Sequence, residues 1–438
     1  MAALCGLFYG PSVMATDVDV QYFSHLNGLV LGNNWGDLIR LLDKVLVTGV
    51  NFTQITAANI DAQGDVHITL FAAHNAMLFQ VVELSGFTPN SLNQKYRIKG
   101  VPSTTKLILK PNDTIALSSI SVIGNGKLAP LGYDIVFRDT NDIKRVYRAK
   151  NPTDQHPFIR VDESLASSDG ASGIYSSTYV KYAMVGLLEH MNHIDDFERP
   201  DVLQLPFNPS QPSKNWKITG TGGNVVRGWS CWYWGKHGNT IGESWGDISA
   251  SPFTAKAFTL TGGRDAFYFQ VQAQNQTSTK LVYGAGLFKS ALPIEAVQPW
   301  FLMSTLRDSN ASTQYALMNV VGGIPMLYSE QQSRFLVTRY NETTPIAPNA
   351  WALPILPDYT AGATNIFGSN VVAALEIPFK DSDNYLRGVM PHLHYNGKHY
   401  GDILSTPVLN QNSMYVADGS YQTGVGYCSV IYYLGELE

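Results

Sequence analysis

Two histidine groups carry the side-chain types that bind metals. His190 and His193 are three apart and are followed by Asp195 and Asp196. On a helix, residues three apart share a face, so this pair could ligate an ion. No third and fourth ligand stands at matching spacing, which favours a solvated turn after a strand. His392, His394, His399 and Asp402 form the densest imidazole group. On a strand His392 and His394 would share one face, with His399 across a hairpin turned by Asn396-Gly397. That geometry suits a metal, and a polar loop rich in His and Tyr is the plainer alternative.

A third group is aromatic. Trp229, Trp232, Trp234 and Trp245 crowd together with Tyr233. Exposed, they could stack on sugars; buried, they would fill a core or a subunit interface. The neighbouring glycines let backbones approach and favour burial. Thr219-Gly220-Thr221-Gly222-Gly223-Asn224 has the glycines of a phosphate loop but lacks its lysine and its βαβ surroundings, so it reads as a turn. No Gly-x-Ser-x-Gly elbow and no paired carboxylates stand out. No catalytic, cofactor-binding or metal-ligating residue is therefore assigned. The expectation is a protein that is not an enzyme and needs no cofactor.

The whole chain has 438 residues, enough for two or three domains. Hydrophobic residues make up 45%, ample for sizeable cores, while charged residues at 15% fall below the usual ~25%. With 23 Tyr and 38 Gly, the profile suits β-sheets with many tight turns, and surfaces buried in an assembly. A net charge of −5 argues against specific nucleic-acid binding, which needs a basic patch. The longest basic cluster, Lys144-Arg145 through Arg148 and Lys150, is flanked by Asp139, Asp142 and Asp154. Cys5, Cys231 and Cys428 are odd in number and far apart, so reduced thiols are expected. The apolar stretch Ala2 to Phe8 lacks the basic start and the length of a signal peptide. No run approaches the ~20 apolar residues of a membrane-spanning helix.

The elements that must position these groups are mostly strands. Residues 1–30 predict an extended arm or edge strand. The clearest helix is Asp37–Val47: Leu38, Leu41, Leu42, Val45 and Leu46 make one apolar stripe, Asp37 is an N-cap or first-turn acid, and Gly49 a stop. Alternation predicts strands at Asp65–Leu70, Met77–Leu84, Tyr96–Val101, Thr105–Leu109 and Ser118–Ile123, the last stopped by Gly124-Asn125-Gly126. Further strands are expected at Ile135–Phe137, Lys144–Arg148, Phe158–Val161, Ala266–Gln272, Val371–Ile377, Ser413–Val416 and Tyr427–Leu434. Tyr179–Met191 permits either helix or strand. Pro206–Asn215 reads as a surface loop. The fold class is mainly β, with antiparallel sheets or sandwiches in several domains and few short helices. The expected division is 1–130, 131–320 and 321–438.

Several phrases carry a resemblance. Trp35 to Gly49 reads W-x-x-L-I-x-L-L-D-x-V-L-V-x-G, and after it come Leu84-Ser85-Gly86, Leu92-Asn93 and Tyr96-Arg97-Ile98. Ala129–Tyr133, Lys144–Arg148, Phe158–Glu163 and the end of Tyr179–Asp196 continue the pattern, and Ala266–Val271 and Leu386-Arg387-Gly388 match weakly. Together these resemble a module of virion proteins in tailed bacteriophages. In length and low charge the chain looks most like the non-contractile tail sheath of Schitoviridae-type short-tailed phages. The resemblance covers most of residues 34–272, and it favours a strand in Tyr179–Met191.

What the resemblance implies is a structural tail subunit in the virion, assembled in the host cytoplasm. Such a subunit forms a ring, a hexamer by analogy, around the channel for genome ejection. It would meet the portal or tail tube and fibre or appendage proteins, with no membrane and no specific nucleic acid. The alternatives are a tail protein that binds host polysaccharide, or one that attaches fibres. The N-terminal arm, Pro206–Asn215 and Asn341–Asp358 are the segments expected to reach neighbours.

Overall fold

Alternating apolar residues and frequent turns build a predominantly antiparallel β structure, with one α-helix among the described residues. The computed structural model describes residues 16–116, 119–167, 173–221, 225–234, 255–272, 280–293, 297–306, 335–340, 346–355, 375–395, 407–422 and 426–438.

The N-terminal sheet has seven strands in the order Val50–Asn51, Asn125–Leu128, Val81–Ser85, Lys95–Ser103, Lys106–Pro111, Val66–Leu70 and Ile55–Ile60. Val66, Ile68 and Leu70 are buried while His67 and Thr69 between them are half-buried, the alternation the sequence predicts. Helix α1 (Asp37–Leu42) continues without a break as a wider π-helical turn, Asp43–Thr48. Leu38, Leu41, Leu42, Val45 and Leu46 are all buried. Each such side chain contributes about 1.5–3 kcal/mol on leaving water. The carbonyls of Val45 and Leu46, near the helix end, accept from the N–H groups of Leu131 and Gly132 at 3.0 and 3.1 Å. The helix end is thus satisfied by the chain that enters the central sheet.

That central sheet runs Thr305–Leu306, Ser230–Tyr233, Tyr182–Leu188, Phe158–Asp162, Lys144–Ala149 and Tyr133–Arg138, with Gln204–Leu205 beside Tyr182–Leu188. Every residue of Tyr182–Leu188 is buried, so that run is a strand covered on both faces. A large sheet of thirteen described strands starts at Gln21–Ser24, passes through Phe258–Gly262, Ala266–Gln272 and Lys280–Leu287, and ends at Val408–Asn410. Ala266–Gln272 is buried throughout: Phe267 and Phe269 join a core shared with the other two sheets, and Tyr268 faces a second core with Phe301 and Tyr432.

Three sequence expectations are corrected. Met77–Gln80 is not strand: Phe79 has a φ of 63°, and the Gln80 side chain takes the N–H of Met77 at 2.8 Å. Its amide also donates to the Tyr22 carbonyl at 2.8 Å, so this polar residue holds a bend and the strand begins at Val81. In Ser118–Ile123 the described residues make only an isolated bridge, Val122 to Thr88, and the strand lies on Asn125–Leu128. Gly124 allows this, because a Cβ there would collide with the Ser85 carbonyl. Pro206–Asn215 is not simply a surface loop: Phe207, Ser213 and Asn215 are buried, and Pro212–Trp216 forms a 3-10 helix. Asn215 accepts from the N–H groups of Trp229 and Ser230 at 3.1 and 2.7 Å and donates to Val185 at 2.9 Å, which replaces strand pairing. His392 has a φ of 62° within the strand Leu386–Tyr395, and the neighbouring pairing is bulged at Glu376/Pro378, while His392 and His394 are both half-buried around a buried Leu393.

Candidate functional site

The motif segments that stand far apart in sequence meet in space. Asp43, from the helix motif, receives the Tyr147 hydroxyl at 2.7 Å and the Arg145 Nε and Nη2 at 3.2 Å. Arg145 also pairs with Asp142. At the other end of the helix, Glu163 accepts the N–H of Ile39 at 3.1 Å and that of Gly36, so a carboxyl from the central sheet caps α1. Burial pushes Glu163 up to about 8, against the pull of those two N–H groups and of Arg227. Arg227 lies over the rings of Tyr182, Trp35 and Tyr175 at 4.4, 4.9 and 5.2 Å. It also donates to the carbonyls of Ser164 and Tyr182 at 2.7 and 2.9 Å.

Arg97 is the second junction. It is wholly buried, and its five N–H donors go to four carbonyls. Nε and Nη2 reach Asp17 at 2.9 and 2.6 Å; Nη1 reaches Val20 at 2.9 Å and Phe79 at 2.7 Å; Nη2 also reaches Leu434 at 2.9 Å. One guanidinium thus fastens the entering segment, the N-terminal sheet and the strand Gly426–Glu436. Burial pulls Arg97 down to about 10, which leaves it charged at neutral pH.

Beside these fasteners an open groove of about 490 Å³ runs between the central sheet and the 3-10 helix. Its floor is the Arg160–Asp162 pair, with Nη1 to Oδ2 at 2.9 Å and both side chains buried. Arg160 donates to Asp195 at 2.6 Å and lies over the rings of Trp216 and Phe197 at 4.4 and 4.9 Å. Lys144 reaches the same Asp195 carboxylate at 2.9 Å. Both acids titrate below the usual carboxylate range, since Arg160 and Lys144 offset their burial. Trp216 seats this deeply because Gly186 has no Cβ; one there would come within 2.8 Å of the indole. The sequence singled out Asp195 and the Phe158–Glu163 segment but not their meeting, because a cross-strand cluster leaves no local spacing to read.

The earlier constellations fare differently. His190 and His193 lie in an exposed turn after Tyr182–Leu188, and His190 contacts Asn192 at 3.2 Å. His394 stacks on Tyr433 at 5.7 Å, while His399 and Asp402 lie outside the described residues. Among the described residues no three His, Cys, Asp or Glu are grouped to hold a metal ion. Trp232 and Trp234 are buried; the Trp232 indole donates to Met303 at 2.9 Å, and Trp234 meets Trp35 edge-on at 5.9 Å. Trp229 is half-buried under Lys214, and Trp245 is outside the described residues. Thr219 ends a short strand paired with Val226–Arg227, and Gly222 to Asn224 are not described. Cys231 is buried, with its thiol 3.8 Å from the Arg227 carbonyl; the Cys5 position and the Cys428 side chain lie outside the description. No described helix is long and apolar enough to cross a membrane. Of the segments expected to reach neighbours, residues 1–15, 341–345 and 356–358 are not described.

One hydroxyl–imidazole–carboxylate line was not foreseen. Thr153 Oγ1 lies 2.9 Å from His156 Nδ1, and His156 Nε2 lies 2.9 Å from Asp265. The same Nδ1 accepts the Thr153 N–H at 2.9 Å, and the His156 N–H returns to the Thr153 carbonyl at 3.1 Å. The imidazole therefore closes a turn and ties it to the loop before Ala266–Gln272.

No known family model matches the chain, and no curated protein matches it in sequence. Among solved structures the phage phi92 endosialidase is similar at 10% identity and a TM-score of 0.14, over 89% of this chain and 51% of that one. The chain thus spans about half the length of that protein.

Proposed function

We propose that this chain is a structural subunit of a bacteriophage tail, forming a ring or sheath around the channel through which the genome leaves. The proposal rests on the motif resemblance, and one observation supports it: the motif residues grip one another. Asp43 holds Arg145 and Tyr147, Glu163 caps the helix of Trp35, and Arg97 joins three segments. Side chains committed inward in this way stiffen a subunit and leave its surfaces for neighbours. A heterologous contact repeated around an axis closes into a ring, and the resemblance makes six the expected number. Portal or tube proteins on one side and fibres or appendages on the other are the proposed partners, in the virion after assembly in the host cytoplasm. A reader of host polysaccharide using Trp232 and Trp234 is disfavoured, because both face the core.

Deletion of the gene from the phage tests the proposal. The expected result is particles with truncated or absent tails. Complete tails that fail only in adsorption would refute it and support the receptor-binding alternative.

A further inference from the structure

We infer that the groove over Arg160 and Asp162 is a binding subsite for an uncharged pyranose ring of a saccharide. The inference is independent of where in a particle the chain sits. Its first support is charge balance. Lys144, Arg160 and Lys217 line the groove together with Asp162, Asp195 and Glu198, three cations with three carboxylates. A charged ligand would meet as much repulsion as attraction there, whereas a neutral polar one meets fixed donors and acceptors.

The second support is unfilled hydrogen-bonding capacity. Trp216 lines the groove, and among the described residues its buried indole N–H has no hydrogen-bond partner. Arg160 Nη1 sits against Asp162 but makes no hydrogen bond there. An unsatisfied buried donor costs about 1–3 kcal/mol, so such groups favour a ligand or water that fills them. The carboxylates of Asp162 and Asp195 keep spare lone pairs beside them. Hydroxyl groups both donate and accept, so a polyhydroxyl ligand matches a lining that mixes open donors with acceptors.

The third support is shape. The volume, about 490 Å³, falls in the ~300–1,000 Å³ range of small-ligand sites. Phe197 is only half-buried at its wall, with its ring tilted 35° from Trp216. A pyranose has one apolar C–H face and a rim of hydroxyls, and Phe197 offers the aromatic surface such a face packs on.

Saturation-transfer NMR of the full chain tests this, with methyl glycosides of glucose, galactose, mannose and N-acetylglucosamine as probes. N-acetylneuraminic acid and a neutral glycine-serine peptide serve as controls. Saturation of at least one neutral glycoside, cut about three- to tenfold in Phe197→Ala and in Asp195→Ala at unchanged melting temperature, supports the subsite. No transfer to any neutral glycoside with the unaltered protein overturns it. Transfer that survives both substitutions overturns it too, as does preference for the anionic sugar or the peptide. Where one variant fails to fold, the other carries the test, and absence of transfer with the unaltered protein overturns the subsite in any case.

Discussion

Replacing Arg97 should unfasten the chain where three segments meet. In Arg97→Met the hydrocarbon stem is kept, but five hydrogen bonds to the carbonyls of Asp17, Val20, Phe79 and Leu434 disappear. Each buried carbonyl left unpaired costs about 1–3 kcal/mol. Three of them are buried and that of Asp17 partly so, which, less the relief of no longer burying a charge, gives a loss of about 3–8 kcal/mol. That is comparable with the ~5–15 kcal/mol total of an ordinary domain. Arg97→Lys keeps the charge but has three donors on a point-like ammonium, so two bonds or more are lost, for about 2–4 kcal/mol. Urea unfolding of the three proteins measures the difference. Hydrogen exchange then shows where it falls: protection should drop first around residues 17–22 and 430–436. If Arg97→Met has the parent's midpoint and exchange pattern, the guanidinium is not the fastener described, and the reading of the motif as internal scaffold fails with it.

Three further outcomes follow from the same structure. Glu163 has its folded value raised to about 8 from 4.5, so its contribution is complete below about pH 4.5 and is lost as pH rises through about 8. The difference in unfolding free energy between parent and Glu163→Gln should therefore change by up to about 5 kcal/mol across that window, against the parent, and a flat difference refutes the assignment. Leu42→Asp should lower stability by about 3–5 kcal/mol because it buries an unpaired charge in the helix stripe; an unchanged melting temperature would show that the stripe is not packed. Gly124→Ala should destabilise through its collision with the Ser85 carbonyl, whereas the same change at Gly64, which has open space but a φ of 82°, should cost only backbone strain; equal losses in thermal melts would contradict the close approach.

Legibility in the sequence followed how local the determinants were. The helix stripe Leu38–Leu46 and the strand Val66–Leu70 are set by periodic burial, which a single segment displays; Ala266–Gln272, buried throughout, is legible instead from its run of aromatic and β-branched residues. Tyr182–Leu188 was ambiguous because a strand buried on both faces has no alternation to show. Met77–Gln80 misled because the bend depends on Gln80 meeting Tyr22 and Asn27, residues more than fifty positions away. Pro206–Asn215 has the composition of a loop, and only the carbonyl of Val185 and the amides of Trp229 and Ser230 explain why Asn215 is inside. At Gly124–Gly126 the usual turn residues serve a close strand approach instead. The groove was illegible for the same reason: Lys144, Arg160, Asp195 and Trp216 come from four segments, and pairing and packing bring them together.

The central claim is a structural ring on the tail, and electron cryomicroscopy of the purified phage, with this chain carrying a small tag, tests it most directly. The account predicts tag density repeated around the tail axis, six times in the expected arrangement, on subunits that enclose the channel. Tag density confined to projecting appendages, with an axis-enclosing wall built wholly from other chains, would contradict it.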